Sequence, residues 1–493
     1  MEKSKVISGL FWKFAERIGA QGVSLIVSIV LARILSPEDY GLISLITIFI
    51  TISNVFIESG MGTALIQKKD ADSEDFSTVF YFNLFVSIIM YVILFLIAPL
   101  IAKFYNINEL IPIVRVLGLT VIISGLKGVQ NAYVSKKMMF RKFFMATLIG
   151  TIISAIIGIV MAYNGFGAWS LVAQQLTNTI ISTIMLWIIV PWRPTLEISL
   201  NKLKGLYKFG WKILCSSLID TIYNELYGLT IGKLFNTETL AYYNRGNQFP
   251  KLITENVNGS ISSVMLPTLS KEQDNKEKMK NIMRKSIQTS SFILFPILIG
   301  LAVVAEPLVR IILTDKWLPS VPIMQLLCFS YLLWPIHTVN LQAINALGRS
   351  DIYLKLEIAK KIVGVLGLCI SIPFGIYAMV IAKIVAAIIS TFINASPNKK
   401  LLNYNITEQL KDILPSFLIS SLMGVVVYSI IFLNINVWIT IIVQVLLGII
   451  IYVILAKLFK IKIYEYLLGQ VIEILNKKKG KIDERKKIEH RIT

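Results

Sequence analysis

The chain has 493 residues, 55% hydrophobic and only 16% charged, with 49 Lys and Arg against 29 Asp and Glu for a formal net charge of +20. Soluble multidomain proteins carry roughly 25% charged residues, so this composition excludes one and points to an all-α polytopic membrane protein. The basic residues are scattered through short loops and a tail, which reads as membrane topology and excludes a nucleic-acid-binding face.

The first residues, MEKSKVISGLFWKFAER, lack an uninterrupted apolar region and a small-residue cleavage site, so no cleaved signal is expected. A bilayer core of about 30 Å needs roughly 20 apolar residues per helix. Such runs occur about fourteen times, near 10–35, 39–65, 77–103, 110–135, 143–164, 167–191, 206–233, 239–268, 286–309, 320–347, 352–373, 376–396, 412–433 and 437–459. The seventh and eighth are the least hydrophobic. With a cytoplasmic N-terminus, the inner segments before the tail carry about 20 Lys and Arg and the outer loops with the span ends beside them only Arg33, Lys103, Lys233, Arg310 and Lys316. The imbalance fixes the orientation and puts both termini in the cytoplasm.

The stretch Ser8–Gly41 sets a pattern that returns about 200 residues later. LFWK at 10–13 is answered by FGWK at 209–212, and ARILSPEDYG at 32–41 by GKLFNTETLA at 232–241. FGAWSLVAQQL at 166–176 matches FGIYAMVIAKI at 374–384, and Asn131-Ala132 matches Asn345-Ala346. The chain therefore divides into a six-helix lobe at 1–200, a second at 201–400, two accessory transmembrane helices at 401–460 and a basic cytoplasmic tail at 461–493. Six is even, so the two lobes are expected to be parallel repeats. The tail carries ten Lys and Arg from Lys460 onward, suited to anionic headgroups or simply to solvent.

Ionisable groups inside a span are costly and normally face a wet cavity or a partner. Lys13, Arg17, Gln21, Ser24 and Ser28 share one helical face. The seventh span shows Lys212, Ser216, Asp220, Tyr223 and Tyr227 at helical steps, with Glu225 beside them. The eighth shows Tyr242, Arg245, Gln248, Lys251, Glu255, Asn258 and Ser262. Glu58 and Lys127 add charge to spans two and four. Such stripes cannot face lipid, so a central aqueous cleft between the two lobes is expected. Arg17, Lys127, Lys212, Arg245, Gln248 and Lys251 would line it, and their positive excess suits an anionic cargo such as a diphosphate. Glu58, Asp220, Glu225 and Glu255 are the carboxylates available for ion coupling. Local pairing, as of Lys251 with Glu255, is the competing reading for any single residue. Trp12, Tyr223, Tyr227, Tyr242 and Tyr243 could stack on sugar rings, although packing is the commoner fate of a membrane aromatic.

His337 lies in an apolar span and His490 in the tail; Cys215, Cys328 and Cys369 have no metal-ligand spacing, and no GxxxxGK[ST] loop occurs. No catalytic, cofactor or metal site is expected.

FWKFAERIGAQGVSLIVSIVLARILSPEDYGLISL at 11–45, ESGMGTALIQKKD at 58–70 and LAYYNRGNQFPKLITENVNGSISSVMLPTLSKEQD at 240–274 resemble the Wzx-type polysaccharide flippases of the multidrug/oligosaccharidyl-lipid/polysaccharide exporter superfamily. The resemblance covers essentially the whole chain, and the first and third segments set it apart from the drug-exporting branch. It implies a V-shaped bundle of two six-helix lobes plus two extra helices, with a basic cavity that Arg17, Lys212, Arg245 and Lys251 fit. It further implies translocation of undecaprenyl-diphosphate-linked oligosaccharide across the bacterial plasma membrane by alternating access, with a polysaccharide polymerase or chain-length regulator as further partners. The rival from the same superfamily is a cation-coupled exporter of amphipathic small molecules. A membrane-embedded glycosyltransferase is disfavoured because the outer loops are short.

Overall fold

A computed structural model describes Gly19 and residues 22–472, apart from Ser59, Asn434 and Val471. Trp12, Lys13, Glu16, Arg17 and the tail beyond residue 472 lie outside the described residues, so the expected cleft role of Arg17 does too. The described elements are helices, with no strand among them: α1 (Gly22–Ile34), then α2 (Pro37–Glu58), α3 (Met61–Gln67), α4 (Ser73–Tyr105), α5 (Leu110–Lys136), α6 (Phe140–Tyr163), α7 (Ala168–Ile189), α8 (Leu200–Leu234), α9 (Thr237–Lys271), α10 (Lys276–Val303), α11 (Ala305–Ile312), α12 (Ser320–Tyr331), α13 (Trp334–Ala346), α14 (Ser350–Ser371), α15 (Ile376–Leu402), α16 (Ile406–Tyr428) and α17 (Val437–Leu458). Among the described residues, ten stretches are long and apolar enough to cross a bilayer: α2 with α3, α4, α5, α6, α7, α10, α12 with α13, α15, α16 and α17. The chain is a multi-pass membrane protein. α8 and α9 are each 35 residues long, about 50 Å at 1.5 Å per residue, but they carry too much charge to be counted by apolarity.

Three expected spans are broken rather than continuous; the ninth is interrupted at Val304, between α10 and α11. The second is interrupted at Gly60, whose φ of +100° leaves the helical region between α2 and α3. The tenth is split at Leu332 and Leu333 between α12 and α13, where Pro335 opens the second helix.

The chain forms two compact units, Met1–Asn244 and Arg245–Thr493, with α9 running from one into the other. In the first unit, α8 packs against α2, α3 and α4. The approach is backbone-close: a Cβ on Gly41 would stand 2.0 Å from the Thr237 carbonyl oxygen, and one on Gly60 would stand 2.5 Å from that of Gly210. On α6, Ala146, Gly150, Ser154, Gly158 and Ala162 are buried at steps of four, and a Cβ on Gly150 would touch Ser182 of α7 at 3.0 Å. Lipid offers no hydrophobic drive between helices, so a seam of small residues that lets the backbones close in holds them together.

One end of this unit is closed by an aromatic and ionic cluster. Phe76, Phe80 and Tyr133 surround Trp192, with Tyr133 stacked on it at 6.3 Å. Asp72 caps α4 and forms a capping box with Asp75. The fully buried Asp75 pairs with Lys68 at 2.6 Å, and Lys202 reaches both Asp72 and Glu74 at 2.6 Å. The hydrogen bond from Lys202, then that from the Asp75 backbone, holds the Asp72 carboxyl down to about 2, and Asp72 in turn raises the Lys202 ammonium.

In the second unit α10 is the axis against which α12, α13 and α16 pack, and α17 packs on α16. α17 buries Thr440, Gln444, Gly448, Tyr452 and Ala456 at steps of four and leaves its branched aliphatic residues exposed. That is the inverse of a soluble amphipathic helix and marks the exposed side as lipid-facing. Tyr452 Oη donates to the Phe292 carbonyl at 2.7 Å. Arg284 binds Asp412 at 2.9 Å and Glu408 at 2.7 Å, which ties the accessory helix α16 to α10.

Several end structures recur along the chain. Ser36 Oγ accepts from the Asp39 amide at 3.1 Å, and Asn236 Oδ1 from the Thr239 amide at 2.7 Å. Gly167 (φ +52°) caps α7 and Gly375 (φ +91°) caps α15. α5 and α13 both end in a six-residue backbone loop, Met139 to the Val134 carbonyl at 2.9 Å and Arg349 to that of Ile344 at 3.1 Å. Against these loops the two Asn-Ala pairs differ by four residues, one helical turn.

Candidate functional site

In the first unit the site is built around Lys127, on α5 about 13 Å from that helix's Lys136 end at 1.5 Å per residue. Lys127 is half-buried, and its Nζ donates to Ser182 Oγ of α7 at 3.0 Å. The Ser182 hydroxyl donates in turn to the Thr179 carbonyl at 3.3 Å, which leaves its lone pairs for the ammonium. Glu58, at the break between α2 and α3, lies within electrostatic reach of Lys127. Around them the Asn54, Asn83 and Asn131 side-chain oxygens are buried and accept no hydrogen bond from the described residues. Buried carbonyls otherwise find a donor, so this interior offers acceptors to water or to hydroxyl groups of a cargo.

The stripe on α8 grades along its length. Lys212, Ser216 and Asp220 are exposed, Tyr223 and Glu225 are half-buried, and Tyr227 is buried. Tyr227 and Tyr243 stack on each other at 6.3 Å and 8°. Both are under 9% exposed, so these two are packing residues and not sugar platforms.

The α9 stripe divides in the second unit. Arg245 is 6% exposed. Its Nη1 donates to Gln248 Oε1 at 2.7 Å, and its guanidinium stands 5.2 Å from the ring centre of the fully buried Trp317. It lies eight residues from Thr237, about 12 Å along the helix, and therefore near one end of α9. Lys251, about 21 Å from Thr237 on the same scale, is exposed and faces Glu255 at 3.8 Å, the local pairing expected from the sequence. Asn258 turns inward and accepts from Thr338 at 3.0 Å, while Asn247 accepts from Tyr331 at 2.9 Å. Part of this polar face thus fastens α9 to α12 and α13, and Lys251 and Glu255 are the charged pair left open.

Sequence reasoning passed over a polar cluster in the second unit. His337 Nε2 meets Thr391 Oγ1 at 3.0 Å, and Nδ1 meets Asn394 Nδ2 at 2.9 Å. The amide group accepts no proton at its nitrogen, so Asn394 donates and Nδ1 accepts. One turn on, Asn340, Asn398 and Gln409 are fully buried and bonded together at 2.6 to 3.1 Å. The signal was present as Thr391, Asn394 and Asn398 at helical spacing on α15.

The family model described as polysaccharide biosynthesis protein matches residues 30–322. Among curated proteins, the chain is 24% identical over 319 residues to the succinoglycan biosynthesis transport protein ExoT of Rhizobium meliloti, 65% of each chain. It is 25% identical over 360 residues to the lipopolysaccharide biosynthesis protein WzxC of Escherichia coli, 73% of each. It is 23% identical over 384 residues to the teichuronic acid biosynthesis protein TuaB of Bacillus subtilis, 77% of this chain and 79% of that one. The match thus spans just under two thirds of ExoT and more of the other two. Among solved structures, the lipid II flippase MurJ in an inward closed conformation superposes with a TM-score of 0.74 at 16% identity, over 94% of this chain and 100% of that one. An inward-facing multidrug resistance MATE family transporter of the MOP superfamily gives 0.61 at 16% identity, over 80% and 98%. At this identity the two superpositions show the fold.

Proposed function

The chain belongs to the polysaccharide biosynthesis protein family, and from that premise we propose that it is a flippase. Its cargo is a polyprenyl-diphosphate-linked oligosaccharide, undecaprenyl being the bacterial carrier, and it moves this cargo across the plasma membrane by alternating access. The reading takes about fourteen spans, with α8, α9 and α14 crossing despite their charge, arranged as two parallel six-helix repeats with both termini cytoplasmic. The recurring caps at Ser36 and Asn236, and at Gly167 and Gly375, support the repeat.

The observation that carries the proposal is Lys127, a cation on a membrane-crossing helix with a neutral hydroxyl as its hydrogen-bond partner, among unpaired amide oxygens. A charge so placed is costly unless it serves a polar pathway. A diphosphate cannot leave water for hydrocarbon uncompensated; Lys127, Lys212 and Lys251 offer that compensation, and the amide oxygens accept from sugar hydroxyls. Arg245 and Gln248, bonded together under Trp317, and Arg17 are the further groups that this reading assigns to the diphosphate headgroup. Glu58, Asp220, Glu225 and Glu255 are the carboxylates through which an ion gradient drives the cycle. The polyprenyl tail stays in lipid, and a polymerase or chain-length regulator takes the product.

The test is complementation of a bacterium lacking its own flippase and making a matching lipid-linked repeat. Restored surface glycan is expected; export of cationic drugs with no glycan restored would favour the small-molecule exporter.

A further inference from the structure

A cavity of about 620 Å³ opens in the second unit where α16 begins and the chain emerges from α17. One side is apolar: Leu414, Leu418 and Leu422 line it at steps of four along α16 and are each about half exposed. Its mouth carries Lys411, Lys460 and Lys462, all exposed, and none makes an ion pair or side-chain hydrogen bond with another described residue. Its acidic group, Asp412, is already engaged by Arg284 at 2.9 Å, Tyr404 at 2.6 Å and Gln288 at 3.0 Å. The mouth is therefore net positive. The strap over it is anchored, since Tyr464 packs on Phe292 at 6.4 Å and Lys285 lies 5.5 Å from the centre of the Tyr466 ring.

We propose that this groove is a binding site for an anionic phospholipid, with an acyl chain along Leu414, Leu418 and Leu422 and the phosphate on Lys411, Lys460 and Lys462. Charge complementarity decides the occupant. A zwitterionic lipid carries its own cation beside the phosphate and gains less from three unpaired ammonium groups, whereas each lysine near an anionic surface favours binding by roughly fivefold. The apolar wall gives the lipid a hold that a free phosphate lacks. The inference rests on the cavity and on the protein being membrane-embedded, and it is independent of the cargo.

The test uses the full chain purified in detergent and titrated with phosphatidylglycerol, phosphatidylcholine or glycerol phosphate, with retention read by native mass spectrometry. Phosphatidylglycerol is expected to be retained over both others. The combined Lys411→Gln, Lys460→Gln and Lys462→Gln variant should weaken it by roughly a hundredfold. Leu418→Trp, which fills the groove and spares the lysines, should weaken it as well. Equal retention of phosphatidylcholine, unchanged binding in both variants, or displacement of phosphatidylglycerol by an equal amount of undecaprenyl phosphate would overturn the assignment. The last result would give the groove to the cargo's tail.

Discussion

Lys127 Nζ and Ser182 Oγ stand 3.0 Å apart between α5 and α7, a charge inside a membrane-crossing helix pair whose hydrogen-bond partner is a neutral hydroxyl, with Glu58 within electrostatic reach. Such an arrangement is stable where water reaches the ammonium. Lys127→Cys, made with Cys215, Cys328 and Cys369 replaced, is accordingly expected to react with a membrane-impermeant thiol reagent. His337→Cys, at a site enclosed by Thr391 and Asn394, should react far more slowly. Equal protection of both would remove the aqueous path.

Gly41 is where the repeated motif meets its own continuation. Its missing Cβ admits the Thr237 carbonyl, and the contact is with backbone, which cannot swing aside. Gly41→Ala should lower thermal stability by about 1–3 kcal/mol, the usual range for overpacking. Gly62→Ala on α3, where no atom lies within 4 Å of the added methyl, should be neutral or slightly stabilising. Detergent melts of the two variants check this.

The Asp72–Lys202 pair gives a pH dependence of definite sign. The folded carboxyl is held at about 2, below its ordinary 3.8. Its contribution is therefore present above about pH 4 and is lost as pH falls toward 2. Lys202→Met should weaken the acid dependence of unfolding in that window and leave the curve at neutral pH nearly flat. Asp72 is exposed, so the effect at pH 7 is small.

The buried side chains of Asn340, Asn398 and Gln409 are bonded to one another across α13, α15 and α16. Asn340→Ala takes away the donor to Gln409 Oε1 and leaves Asn398 and Gln409 only their bonds to the Asn340 and Tyr404 carbonyls, at a cost of about 1–3 kcal/mol. It should lower the melting temperature without changing cargo selectivity. An unchanged melt would show that water replaces the lost partner.

Much of this was legible from periodicity and charge, because both act locally. Among the described residues the expected spans fall on helices, and the weak apolarity of the seventh and eighth reappears as the charge on α8 and α9. The breaks at Gly60 and at Leu332 and Leu333 were passed over because the apolar runs continue through them, although Gly60 and Pro335 are local breaker signals. Among site residues, spacing put Arg245, Gln248, Lys251 and Asn258 on one face. It could not say that Trp317, from a turn 72 residues on, covers Arg245, or that Thr338 takes Asn258. Tyr227 and Tyr243 stack on each other for the same reason: the partner lies on another helix. The His337 cluster escaped because its members, His337 on α13 and Thr391 and Asn394 on α15, are isolated polar residues in two largely apolar runs.

The most direct measurement is leaflet exchange of a polyprenyl-diphosphate oligosaccharide in proteoliposomes, with the wild type compared to Lys127→Gln combined with Lys251→Gln. The account predicts protein-dependent exchange by the wild type. It predicts a fall of roughly 10- to 100-fold in the double variant, from the loss of charge-assisted contacts worth about 1.5–3 kcal/mol, with folding retained. Exchange by the double variant at the wild-type rate, or none by the wild type above protein-free vesicles under any gradient, would contradict it.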